Sequence, residues 1–429
     1  MLLTQRVETL CYPAGMASGA DAIEDSRCKR FLTTRNVILV LATFALGAIA
    51  YYPVRYLDTL GDVSIYRDYA NAVLANPAAF PKEYPPPSIL LFLLPRILGA
   101  ARYFDTFNAL AALALAATVV IVDRLTRRGF WLLTLFALGT WAVIFTRYDI
   151  FVVWLTVLAF AAARRQRWVL AQGLLAGAAA LKLYPLFLMP LVVLWQWRSA
   201  RRLPLAALTS GAIFLFVVAG ASWFAAAPAL HQMWEYHAQR PFEFESLGAT
   251  LLWLTRPVTI AVSYGCFGIE PSPPFILGLA SVLTVLLPIT VYFAFARGYL
   301  RPAPAWALVL LFLLAAAKVF SPQYLIWVLP FIVLAESPTQ PGSHVFRYGH
   351  RAIWLCICIL TSVVYPFALE RIFGLRGSES DRDSVMLLVT LRNLLWLLAC
   401  LVAALHWTSQ KNLTSNPESS TPVAEAPVE

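Results

Sequence analysis

Apolar runs close to the length that crosses a bilayer recur from residue 37 to residue 407, separated by short polar gaps. A run of about 20 apolar residues spans a bilayer as a helix. A chain made almost wholly of such runs has little freedom: its class is all-α, a polytopic membrane protein. Charge is scarce in the same sense. Only 13% of the 429 residues are Asp, Glu, Lys or Arg, where an ordinary soluble domain carries about 25%. About twelve spanning helices are expected, within a range of ten to fourteen because several runs are short.

The basic residues order these runs. "RCKR" (27–30), "DRLTRR" (123–128), "RRQR" (164–167), "RSARR" (198–202) and "RGYLR" (297–301) fall in every second gap. Under the positive-inside rule these gaps face the cytoplasm, together with both termini. The net charge of +10 is then a matter of topology, and no nucleic-acid partner is expected. The bilayer is the expected partner, and the expected location is a cell membrane, a bacterial plasma membrane. The opposite gaps collect the carboxylates: Asp58, Asp62, Asp68, Glu83, Asp149, Glu235, Glu243 and Glu245.

Two apolar stretches, 84–95 and 246–269, would invert the later basic clusters if they crossed. They are expected as interfacial or re-entrant helices on the outer face, where irregular backbone survives only under protein or along a cavity. The expected organisation is a disordered cytoplasmic lead (1–36), a transmembrane domain (37–407) whose outer loops 55–102 and 227–272 form the active face, and a disordered tail (408–429). Six scattered cysteines, with no histidine or carboxylate near the Cys356–Cys358 pair, imply neither a disulfide framework nor a metal site.

Charged side chains gather at the corners of the outer face. Asp62, Tyr66 and Tyr69 share one helical face. Asp62 follows Gly61 and suits a helix N-cap as well as a catalytic carboxylate. "TRYDI" sets Arg147 and Asp149 at a tight turn, where an ion pair between them is the local expectation. "LKLYP" brings Lys182 and Tyr184 to an outer helix end, and "AKVFSPQYLIW" does the same for Lys318, Ser321, Gln323 and Tyr324. A single such lysine is readily explained by snorkelling to water. Several cations opening beside carboxylates suit a lipid-linked phosphate, with cations on the phosphate and a carboxylate as base.

The ordered set "GDVSIYRDYANAVL", "EYPPPS", "RYDIFVVWLTVLAFAAARRQRWVLAQGLLAGAAALKLYP", "YHAQRPFEFES" and "KVFSPQYLIWVLP" resembles the GT-C glycosyltransferases. The likeness is to the bacterial mannosyltransferase type of glycosyltransferase family 87, with a weaker likeness to the catalytic subunit of GPI mannosyltransferase I. It covers roughly residues 58–335. The resemblance implies a GT-C-like fold with a long first outer loop. It also implies an inverting hexosyl transfer, mannosyl first, from a polyprenyl-phosphate sugar to an acceptor hydroxyl on a glycan, glycolipid or protein of the cell envelope.

Carried over, Asp62 is the base, and Lys182, Arg240 and Lys318 hold the leaving phosphate. Asp58, Tyr66, Arg147, Asp149, Tyr184, His237, Glu245, Gln323 and Tyr324 would line the site. No cofactor and no metal are expected. The first outer loop lacks the Asp-x-Asp of some GT-C members, which leaves metal dependence open.

The alternative is a transporter or flippase of a lipid-linked sugar. Both lysine corners share a Lys, Pro, Pro order, the kind of repeat transporters use. A transporter needs polar groups reachable from both sides, whereas these gather on one face.

Overall fold

A computed structural model of the chain describes residues 33–57, 62–336, 344–368 and 379–414. Asp58, the RCKR cluster and most of both termini expected to be disordered lie outside the described residues. The helices are α1 (Thr34–Leu57), α2 (Asp62–Ala75), α3 (Ser88–Leu93), α4 (Tyr103–Thr126), α5 (Gly129–Gly139) and α6 (Trp141–Ile144). There follow α7 (Asp149–Arg164), α8 (Trp168–Leu181), α9 (Met189–Ala200), α10 (Leu205–Gln239) and α11 (Leu247–Thr255). Strands β1 (Thr259–Ser263) and β2 (Cys266–Glu270) precede α12 (Pro274–Ala296), α13 (Pro302–Ala316), α14 (Leu325–Ala335), α15 (His344–Ser362) and α16 (Glu379–Thr414).

Among the described residues, six helices are long and apolar enough to cross a membrane: Thr34–Tyr56, Ala100–Thr126, Leu205–Gln239, Pro274–Ala296, Tyr348–Ala368 and Arg382–Thr408. The helices around Gly129–Gly139, Trp168–Leu181, Pro302–Ala316 and Pro322–Ala335 are apolar but shorter. Length thus singles out six of the twelve spans expected. The all-α polytopic class stands. The last helix runs to Thr414, past the expected boundary at 407.

Among the short helices, α14 is wholly interior. Every residue of α14 is buried, and α14 packs against α4, α5, α7 and α13. A helix apolar all round belongs in the middle of a bundle. The long helices α10 and α12 do the reverse, with Phe216, Phe224 and Phe275 at 79%, 91% and 80% exposure, as lipid-facing surfaces require. α10 has 35 residues and breaks at Ala226 (φ −155°, ψ 40°), two positions before Pro228. Proline removes a backbone donor and clashes with the preceding turn, which accounts for the kink. At 1.5 Å per residue the helix is about 50 Å long, more than the roughly 30 Å apolar core of a bilayer. Its far end, with Tyr236 and His237, therefore projects beyond that core.

One interfacial expectation is corrected. Residues 246–269 are not one helix: α11 covers nine residues, and β1 and β2 form an antiparallel hairpin with Ser263 paired to Cys266. Tyr264 and Gly265 both take positive φ (47° and 62°) in its two-residue turn. Two-residue hairpin turns of this kind follow the twist of the strands and favour glycine.

The bundle has two chemically distinct ends. At one, Arg35 bonds Asp123 at 2.7 and 2.8 Å, and Arg128 and Arg351 both reach the Glu336 carboxylate, at 3.1 and 2.7 Å. Arg198 donates to the Leu300 carbonyl at 2.7 Å. These are the arginine-rich gaps. The acidic gaps and the lysine corners meet at the opposite end.

Helices α5 and α15 touch through Gly139, where an added Cβ would lie 2.8 Å from Cβ and Sγ of Cys358. Gly139→Ala is expected to destabilise by about 1–3 kcal/mol through overpacking. Gly177→Ala, where nothing lies within 4 Å, is expected to be neutral or slightly stabilising. Thermal unfolding of the purified protein in detergent checks both.

Candidate active site

Asp62 lies in the first turn of α2. Its carboxylate forms an ion pair with Arg147 and accepts from the hydroxyls of Tyr66 (3.2 Å) and Tyr84 (3.4 Å). Tyr66, one turn along α2, is fully buried and stacked on Phe92 with centroids 4.5 Å apart. Tyr84 comes from the EYPPPS segment and packs edge-on against Tyr66 and Tyr148. The carboxylate thus has three oriented neighbours and is 17% exposed.

Arg147 and Asp149 do not pair with each other, contrary to the local expectation. Arg147 turns to Asp62. Asp149, at the start of α7 and 1% exposed, accepts from Lys182 Nζ and from Trp327 Nε1, each at 2.6 Å. The ammonium of Lys182 lies 5.0, 5.3 and 5.1 Å from the ring centroids of Tyr148, Tyr324 and Trp327. Cation–π attraction from such a box strengthens as water is excluded. Lys182 was expected to face a phosphate opposite Asp62; its charge is instead matched by Asp149. Tyr184, expected to line the site, is buried and stacked on Trp327 at 4.1 Å, behind the box.

A proline stands just after Lys182. Lys182 was expected at an outer helix end, and α8 stops at Leu181, with Lys182 extended (φ −155°, ψ 136°). Pro185 cannot donate to the carbonyl four residues back. That carbonyl, of Leu181, accepts from the Tyr148 hydroxyl at 3.2 Å. At the second corner α13 has already ended at Ala316, with Ala317 extended, and the Lys318 carbonyl accepts from the Glu243 amide at 3.0 Å. Each acceptor is satisfied by a neighbour of the site, as buried backbone groups must be.

A second group adjoins the first. Lys318 Nζ donates to the carbonyls of His237 (3.0 Å) and Ala238 (3.2 Å) at the negative end of α10. His237 Nε2 contacts the Glu83 carbonyl at 3.1 Å, so the Glu83–Tyr84 pair touches both groups. Arg240 acts electrostatically on Lys182, His237 and Lys318. Its Nε is buried without a hydrogen-bond partner, and among the described residues neither Arg240 nor Lys318 forms an ion pair. Burial lifts the Glu83 carboxyl above the usual carboxylate range, against the lowering effects of Arg240 and a hydrogen bond from Tyr84.

Of the other expected residues, Gln323 is half-buried in the 3-10 turn Pro322–Tyr324. Glu245 does not line the site: it is buried in an ion pair with Arg392 of α16. Asp58 lies outside the described residues. Sequence reasoning missed Tyr84, Trp327 and Arg392, and it placed Glu83 and Glu243 among the outer carboxylates without giving them a role. Arg392 had a signal, being a lone arginine in an apolar run, "MLLVTLRNLLWLL". Among the described residues no three His, Cys, Asp or Glu side chains group as metal ligands. A groove of about 590 Å³ lined by Trp168, Val169, Leu170 and Phe214 opens toward the arginine-rich end and carries none of these groups.

Removing one partner of a buried ion pair costs about 3–5 kcal/mol, whereas replacing both with apolar groups of similar volume is often neutral. Asp149→Leu should therefore lower the melting temperature strongly, and Asp149→Leu combined with Lys182→Met should recover most of the loss. Differential scanning fluorimetry of the three proteins tests this.

The family model for glycosyltransferase family 87 matches residues 83–322, more than half of the chain. A search of curated proteins gives no match. The matched stretch holds Tyr84, Arg147, Asp149, Lys182, Arg240 and Lys318; Asp62 precedes it and Arg392 follows it. With apolar helices of spanning length and a charged, aromatic site at one end of the bundle, the chain belongs to glycosyltransferase family 87, and is a membrane glycosyltransferase.

Proposed function

We propose that the protein transfers a hexose, mannose in the first instance, from a polyprenyl-phosphate donor to an acceptor hydroxyl at the outer face of the plasma membrane, with inversion. The observation that carries this is the division among the cations. Arg147 and Lys182 are neutralised by Asp62 and Asp149, while among the described residues Arg240 and Lys318 form no ion pair, Glu83 and Glu243 acting on Arg240 only from beyond contact distance. A site that keeps two cations out of ion pairs beside an oriented carboxylate suits an anionic ligand and a proton to be removed.

In this reading Asp62 takes the acceptor proton. The acceptor oxygen attacks the anomeric carbon, and the bond from that carbon to the phosphate oxygen breaks with its electron pair on the phosphate. Arg240 and Lys318 stabilise the charge that develops there, the larger electrostatic contribution. Arg147, Tyr66 and Tyr84 hold the Asp62 carboxylate in place, so that positioning is settled before substrate arrives. Asp149 and Lys182 hold the turn that carries Arg147. No resident cofactor or metal enters the proposal; the donor is a substrate. The acceptor is a hydroxyl of a glycan, glycolipid or protein.

Membranes supplied with radiolabelled polyprenyl-phosphate mannose test this. Asp62→Asn should lower transfer about 10²–10⁴-fold, the range for loss of a general base, and Arg240→Gln and Lys318→Gln should each lower it with intact expression. Full activity in Asp62→Asn would remove the base assignment. The transporter alternative draws on one feature, the shared helix, lysine and 3-10 turn order at both lysine corners. Labelled lipid that crosses the bilayer without any transfer would favour it. Labelling of cysteines placed at 62 and 318 from the outer side only would support the orientation.

A further inference from the structure

Outside the site, the molecule holds a buried polar group with no role in the reaction as proposed. Arg392 sits in the apolar middle of α16, its side chain 1% exposed. Its guanidinium forms an ion pair with the Glu245 carboxylate and donates to the Glu245 carbonyl at 2.5 Å. Its neighbour Asn393 donates to the carbonyls of Glu245 (3.1 Å) and Ser246 (3.3 Å) and to Thr250 Oγ1 (2.8 Å). An arginine at this depth needs every donor occupied or it costs several kcal/mol. Apart from Asn393 Oδ1 beside it on α16 (3.2 and 3.0 Å), its hydrogen-bond partner is Glu245, on the short loop 240–246.

That loop is joined to the next. The Glu243 carboxylate accepts from the Phe320 amide (2.9 Å) and from Ser321 Oγ (2.6 Å), and the Glu243 amide donates to the Lys318 carbonyl. The Arg392 guanidinium also lies 4.7 Å from the centroid of the Phe320 ring. One arginine therefore grips both loops, from the side away from the reaction. The first loop begins with Arg240 and the second carries Lys318, the two site cations that form no ion pair among the described residues.

We infer that Arg392 is a positioning residue for the Arg240–Lys318 anion site: through Glu245 and Phe320 it fixes the separation of the two cations that receive the lipid phosphate. The inference rests on the preceding assignment of those cations to phosphate. Lysine cannot replace it, because a point ammonium lacks the planar fork that reaches a carboxylate and a carbonyl while lying on a ring.

The test is binding of polyprenyl monophosphate to the purified full-length protein in detergent, with melting temperature measured in the absence of ligand. Arg392→Lys should weaken binding about ten- to a hundredfold, the loss that ångström-scale misplacement produces, and Phe320→Leu, which keeps the ion pair, should weaken it in the same direction. In a double-mutant cycle, Arg392→Lys with Lys318→Gln should bind no more weakly than Lys318→Gln alone, because residues that act through one another are not additive. A role confined to stability would lower the melting temperature and leave the two effects on affinity multiplicative, which would overturn the inference. Wild-type affinity in Phe320→Leu would also overturn it. Wild-type affinity in both Arg240→Gln and Lys318→Gln would instead overturn the phosphate assignment beneath it.

Discussion

The Asp149 carboxylate, nearly sealed from water, is the contact on which the site depends. It takes Lys182 from the end of α8 and Trp327 from α14, both at 2.6 Å, and begins α7 itself. Stripping water from an isolated carboxylate costs several kcal/mol, and only close, well-directed partners compensate. The three helices are accordingly held where those partners reach. Trp327 is fixed in turn between Tyr184 and Tyr324, with centroids 4.1 and 4.0 Å away. Two residues back along the chain, Arg147 points the other way and seizes Asp62. A single turn between α6 and α7 thus couples the bundle interior to the first outer helix.

This crossing of partners separates structure from reactivity. Adjacent charges of opposite sign satisfy each other most cheaply when nothing else competes. Here each is drawn to a partner from a different element, and the turn becomes a rigid joint. Among the described residues the remaining cations, Arg240 and Lys318, form no ion pair: Lys318 is held by the carbonyls of His237 and Ala238, and the loop that follows Arg240 is joined to that of Lys318 through the Glu243 amide. Pre-arranged charge of this kind needs no reorganisation when a transition state forms.

Much of this was legible in the sequence. Hydropathy and the alternation of arginine-rich gaps gave a helical bundle with two unlike ends, because both depend on composition summed over long windows. The residues at the acidic end were found for the same reason: a charge in an apolar run is conspicuous, whatever its partner. Partners were not legible. Arg147 and Asp149 are two apart in sequence, and nothing local says that Asp62 and Lys182, 85 and 33 residues away, will outbid that proximity. Trp327 was hidden because aromatic residues in a span look like lipid anchors. Residues 259–270 were misassigned since a short apolar strand and a short apolar helix have the same composition; the Tyr-Gly turn was the available sign. Glu245 looked like a site residue by its place in the loop. Only the return of α16, far along the chain, shows that it faces inward.

Lys318 serves two masters with two different parts. Its carbonyl joins its loop to Glu243, while its ammonium is directed at the end of α10. The join is a main-chain contact, indifferent to what side chain stands at 318. Chemistry at that position can therefore drift without unstitching the loops. The fold keeps the socket while the fitting is exchangeable, which is one physical route by which a single scaffold comes to accept different substrates.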